Sequence, residues 1–146
     1  MKQAFRLIAL AWLVGVSSLS GECQDVGTGN HRKLEPRIRK SLQLLSRSAR
    51  VYTEEQECFS CHHQALPVLT LRLAQEQGIE VATETISKQA KFTREYYQQR
   101  QEKIEKGAGI PGGSYSAGYA LLTLAAANAP GDSLRDAMVQ YLQKKQ

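Results

Sequence analysis

The sequence predicts an all-α fold, an array of about five helices paired as α/α hairpins, and three observations predict it. Apolar residues recur at helical spacing through each long segment, clusters of Gly and Pro stand where those segments stop, and one-sided helices alternate with helices that are apolar almost all round. Two layers follow from that alternation. A helix covered on several sides must be apolar on all of them, whereas an outer helix need be apolar on only one.

The first helix is expected over residues 36–51, with Pro36 in the first turn, where a missing backbone donor costs nothing. Ile38, Leu42 and Leu45 form its inner stripe; Arg37, Arg39, Lys40, Arg47 and Arg50 form a solvated face. The second is expected over 64–77. Leu66, Val68, Leu69, Leu71, Leu73 and Ala74 surround it, Pro67 belongs to its first turn, and Gly78 stops it. The third runs over 83–106, capped by Thr83 or Thr85, with Ile86, Ala90, Tyr97 and Ile104 inward. The Gly-rich stretch 107–113 reads as a turn, because no lysine and hydroxyl residue follow it at phosphate-loop spacing. The fourth helix, 115–128, is apolar nearly throughout and should be buried. Pro130 and Gly131 end it, Asp132 or Ser133 caps a fifth, and Leu134, Met138, Tyr141 and Leu142 line that last helix. Overlaying the second helix on the fourth matches Val68-Leu69-Thr70-Leu71 with Leu121-Leu122-Thr123-Leu124, Ala74 with Ala127 and Gly78 with Gly131. The offset is 53 residues throughout (121 minus 68).

Residues 1–20 read as a secretory signal: Lys2 and Arg6 lead an apolar run from Leu7 to Val16, and Ser18-Leu19-Ser20 supplies small residues for cleavage. The run falls short of the ~20 residues a membrane span needs, so no stable span is expected after cleavage. Glu22 before Cys23 argues against lipidation. Residues 21–33 then form a polar leader and 34–146 the helical domain, in a periplasmic or secreted protein. Removing Lys2 and Arg6 leaves 17 basic against 14 acidic side chains, a balance of +3. Those basic residues are spread over several segments, so nucleic acid is not an expected partner.

The chemistry concentrates in Cys58-Phe59-Ser60-Cys61-His62, the C-x-x-C-H pattern of covalent c-type haem attachment. On an opening helical turn the two sulfurs share one face and can reach two vinyl groups of one porphyrin, while His62 ligates the iron. Haem is attached outside the cytoplasm, where the signal segment also points. Electron transfer or another redox role with a redox partner protein is therefore expected. Two readings of the same residues stand beside it: a Cys58–Cys61 disulfide, and a zinc site of Cys58, Cys61, His62 and His63 on a non-catalytic scaffold that binds partners. His63 follows His62 by about 100° around a helix and does not reach the opposite face of one iron. For the sixth position only Met138 and His31 stand as distal candidates, Met138 being expected in the core and His31 on the surface. A small cytochrome c-like domain is the alternative fold, but its methionine ligand would come from a loop before the last helix, and Met138 lies inside that helix.

The stretch Glu57-Cys58-Phe59-Ser60-Cys61-His62-His63-Gln64-Ala65-Leu66-Pro67, with the Leu-rich helix that follows, resembles exported bacterial relatives of squalene-hopene cyclases and prenyltransferases. Ala117-Gly118-Tyr119-Ala120-Leu121-Leu122 and Ala137-Met138-Val139-Gln140-Tyr141-Leu142 fit the same resemblance. It implies a partial α/α toroid, an open arc whose partners include further helical-repeat segments. The D-x-D-D acid motif and the Q-x-x-D-G-x-W repeat signature are both absent, the sole Trp being Trp12, so cyclase activity is not implied and an enzyme is not expected. A terpenoid-cyclase-like fragment would instead keep an apolar cavity for isoprenoid-like ligands, lined by Tyr96, Tyr97, Tyr115 and Tyr119.

Overall fold

A computed structural model describes residues 28–145, which are all-helical: α1 (Thr28–Glu55), a π-helical turn (Cys61–Ala65), α2 (Leu66–Glu76), α3 (Thr83–Gln98), α4 (Gln101–Glu105), α5 (Gly113–Ala126) and α6 (Ser133–Gln143). No strand occurs among the described residues. The expected signal segment, Cys23 and most of the expected polar leader lie outside them.

Helix α1 begins at Thr28, so Pro36 sits inside it and not in its first turn. From residue 34 onward its first buried side chain is Leu42, and Ala49 is buried as well. Helix α1 lies against α2 and α3; α2 lies against α3 and α5; α5 lies against α3 and α6, and α4 packs on α6. Two apolar clusters result. One joins Leu42 to Val68, Leu71, Ala74 and Ile86; the other joins Tyr96, Tyr97 and Ile104 to Ala117, Ala120, Leu134, Met138 and Tyr141. Burial of this kind, worth about 25 cal/mol per Å² of apolar surface, is the main force holding the helices together. Gln64, Gln89, Thr93 and Thr123 are buried as well. The Gln89 carboxamide spends its N–H on the Ala49 carbonyl at 3.0 Å and so ties α3 to α1.

The expected third helix is broken at Gln99–Arg100. In an unbroken helix the Arg100 amide would bond to the Tyr96 carbonyl; here it donates to Tyr97 O at 2.9 Å. The Arg100 guanidinium takes the freed Tyr96 carbonyl at 2.7 Å and lies 3.6 Å from the Tyr96 ring centroid. A side chain has substituted for a main-chain donor, a device that periodicity does not register.

Helices α2 and α5 end alike. Gly78 at φ +73° and Asn128 at φ +54° follow the last turns, and the amides of Ile79 and Ala129 reach back to Ala74 O and Leu124 O, both at 2.9 Å. This left-handed cap closes the orphan carbonyls of a helix end. The next helices start at Thr83 and Ser133, so the two helix–turn–helix units correspond at an offset of 50 residues (133 minus 83). The sequence overlay at 53 is thus about one helical turn out of register. The structural counterpart of Gly78 is Asn128, not Gly131, because backbone conformation and not residue identity marks the cap.

The two helices expected to be buried all round each keep an open stripe: Leu66, Thr70 and Leu73 on α2, and Tyr115, Tyr119 and Leu122 on α5.

Candidate functional site

The motif occupies the corner where α1 gives way to the π turn. Cys58 lies in the irregular stretch between them, and Cys61 opens the turn with His62 beside it. The two cysteines therefore do not share a regular helical turn, as sequence spacing implied. The His63 and Gln64 amides both donate to Ser60 O, at 3.2 and 2.9 Å, and the Leu66 amide reaches Cys61 O five residues back. Ser60 makes no side-chain cap; instead the buried Gln64 carboxamide oxygen accepts the Ser60 amide. Gln64 Nε2 is buried with no partner. A single-turn π-helix of this sort is rare and recurs at functional sites.

Both cysteines are free thiols, Cys58 exposed and Cys61 half-buried. The four candidate ligands sort into two groups. Tyr52, in the last turn of α1, is the hub of the first: its hydroxyl lies 3.0 Å from Cys58 Sγ and its ring stacks on His63, with centroids 4.3 Å apart and planes 8° from parallel. The Cys58 thiol, with partial burial, raises the Tyr52 phenol above its ordinary 10.0. In the second group Cys61 Sγ lies 3.3 Å from His62 Nδ1, and the exposed His62 ring keeps Nε2 for another partner. Among the described residues no three His, Cys, Asp or Glu side chains converge as a metal-holding group. Stacking on Tyr52 turns His63 to a different neighbour from that of His62.

Between the cysteines, Phe59 points inward. It meets Tyr97 edge-on at 5.4 Å and Tyr96 at 6.4 Å, anchoring the motif to the second apolar cluster. Burial pushes the Tyr97 phenol well above its ordinary value, with the Ser116 hydroxyl it bonds to working the other way. Beside the motif runs a groove of about 610 Å³ between residues 53–57 and α3. Its rim carries Glu54, Glu55, Glu57 and Glu95, its wall Phe92 and Tyr96.

The distal candidates are placed apart. Met138 is fully buried on α6 among core side chains. His31 stands near the start of α1, and its side chain lies outside the described residues. Tyr96 and Tyr97 belong to the core while Tyr115 and Tyr119 are exposed, so the four tyrosines do not line one cavity. Sequence reasoning missed Tyr52 and Gln64; a tyrosine six residues before the first cysteine and a glutamine three after the second carry no periodic signal.

No family model matches the chain, and comparison with curated proteins and with solved structures returns no match to either. No helix among the described residues is long and apolar enough to cross a membrane.

Proposed function

We propose that this is an exported helical protein that holds c-type haem covalently through Cys58 and Cys61, with His62 as an axial iron ligand, in an electron-transfer or other redox role. The observation that carries the reading is the donor set: two reduced thiols in C-x-x-C-H spacing, accessible at a corner of the fold, beside an exposed imidazole whose Nε2 is uncommitted. Haem, when bound, supplies a one-electron couple. The chain's part is to tether and to ligate. Phe59 fixes the motif to the core, His62 would offer Nε2 to the iron, and stacking on Tyr52 turns His63 to a different neighbour. This reading takes the surrounding helices as a short α/α arc, which is what the motif's resemblance to exported cyclase relatives implies, without their catalytic acid. In cells competent for haem attachment, His62→Ala should keep the tether but change the optical spectrum. An unchanged spectrum would remove His62 from its role, and replacing both cysteines with Ala should leave no attached haem.

The contact between Cys61 Sγ and His62 favours a second reading, a dithiol that exchanges with a partner disulfide. Two thiol protons and two electrons pass to that disulfide, whose S–S bond breaks to give two thiols, and Cys58 and Cys61 become bonded. Treatment with a small disulfide such as oxidised glutathione separates the readings, because thioether-bound sulfurs do not react.

A further inference from the structure

We propose that the groove between α1 and the start of α3 binds a phosphate monoester group, held by the Arg47 and Arg50 guanidiniums. This inference does not depend on the haem reading. The groove measures about 620 Å³ and lies between residues 39–50 of α1 and residues 80–85. Of the five basic side chains expected on a solvated face of α1, the fold turns Arg39, Arg47 and Arg50 to the groove and leaves Arg37 and Lys40 outside it. Arg39 is engaged by Glu35 at 2.8 Å, and Glu80, the one carboxylate among the lining residues, lies 3.9 Å from it. Among the described residues Arg47 and Arg50 form no ion pair. Two guanidiniums three residues apart on one helix face repel each other unless an anion is shared between them.

The facing wall supplies donors and no competing acid. Ser46 on α1 and Thr85 in the first turn of α3 bring hydroxyls to the groove. Arg50 acts across to that turn: Lys88 does most to hold the Glu84 carboxyl below the ordinary carboxylate range, and Arg50 adds to it. Glu84 is itself ion-paired with Lys88 at 2.8 Å, so it leaves the Arg50 fork open. The class of anion follows from the donors. Each guanidinium offers a fork of two N–H bonds, and a carboxylate, with two oxygens, fills one fork only. A phosphate monoester carries three acceptor oxygens and close to two negative charges, enough for both forks and a hydroxyl. Beside the arginines, buried Leu42 and half-buried Val81 give the groove an apolar floor for the organic part of an ester.

Titration calorimetry of the full chain in low-salt chloride buffer, with inorganic phosphate, phenyl phosphate and acetate as probes, tests this. The expected result is saturable binding of both phosphates, at roughly millimolar concentration or below, and none of acetate. Arg47→Gln and Arg50→Gln should each weaken phosphate binding by about 10-fold or more; both side chains are exposed, so folding is not at stake. Arg47→Lys keeps the charge and loses the fork, and should weaken binding as well. Lys40→Gln, which removes an equal charge outside the groove, should leave it unchanged. Vesicles containing phosphatidic acid distinguish the source of the group: tighter binding to them than to phenyl phosphate assigns it to a lipid headgroup, and the reverse order to a soluble ester. No saturable phosphate binding, an equal response to acetate, or binding that Lys40→Gln weakens as much as Arg47→Gln and Arg50→Gln do overturns the proposal.

Discussion

At Tyr52 one side chain holds two candidate ligands, a thiol at its hydroxyl and an imidazole on its ring. Tyr52→Phe keeps the ring and removes the hydroxyl. The Cys58 thiol should then be alkylated faster relative to Cys61, as read by mass spectrometry of the labelled peptides; an unchanged ratio would mean the hydroxyl does not restrain it. Gln64 carries the π turn through a single carboxamide, and Gln64→Ala should cost about 1–3 kcal/mol in denaturant unfolding, by leaving the Ser60 amide unpaired. Asp132 caps α6 by accepting the Arg135 amide at 2.9 Å and pairs with Arg94. Partial burial works against its ionisation, but the Arg135 amide and the Arg94 guanidinium outweigh it and hold its pKa below the ordinary 3.8. A depressed carboxylate contributes stability above its unfolded value and loses it as pH falls through the folded one. Asp132→Ala should therefore destabilise the protein by about 1 kcal/mol at neutral pH, with the gap to the parent closing below about pH 4. A gap that stays constant to pH 2 would contradict the ionic part of the cap.

Among the elements, the end of each helix shows what the sequence could and could not reveal. Gly78 and the Asp132 cap were legible because both residue types carry their own backbone chemistry. Asn128 performs the same left-handed turn as Gly78 but reads only as the last residue of the helix expected over 115–128, with Pro130 and Gly131 as the stop, and matching Gly78 to Gly131 displaced the internal repeat by one turn. Asn128→Gly should stabilise the chain by up to about 1 kcal/mol in thermal unfolding, since glycine meets no Cβ penalty at positive φ. Gly78→Ala at φ +73° should do the reverse by a similar amount, although nothing stands within 4 Å of an added Cβ. The split of α3 from α4 was illegible because Tyr97 and Ile104 keep inward spacing across the break. Of the motif, adjacency in sequence placed Cys61 beside His62; the partition of these two from Cys58 and His63 came from Tyr52, which only the turn of the chain brings near.

Across the described residues there are two apolar cores, and the motif corner is pinned to one of them by Phe59. Helical class and most of the core could be read from periodicity, whereas exposure of the α2 and α5 stripes could not, since apolar composition does not state whether a covering helix is present. Met138 belongs to that core, so Met138→Leu should change stability by less than about 1.5 kcal/mol and leave any haem spectrum as it was, whereas Met138→Ala should cost about 2–5 kcal/mol. The measurement closest to the central claim is intact mass and absorption of the protein exported from cells with haem-attachment machinery. One haem per chain, retained through denaturing electrophoresis and giving a Soret band, is the predicted result. A colourless chain of unmodified mass, with both thiols still titratable, would contradict covalent haem at Cys58 and Cys61.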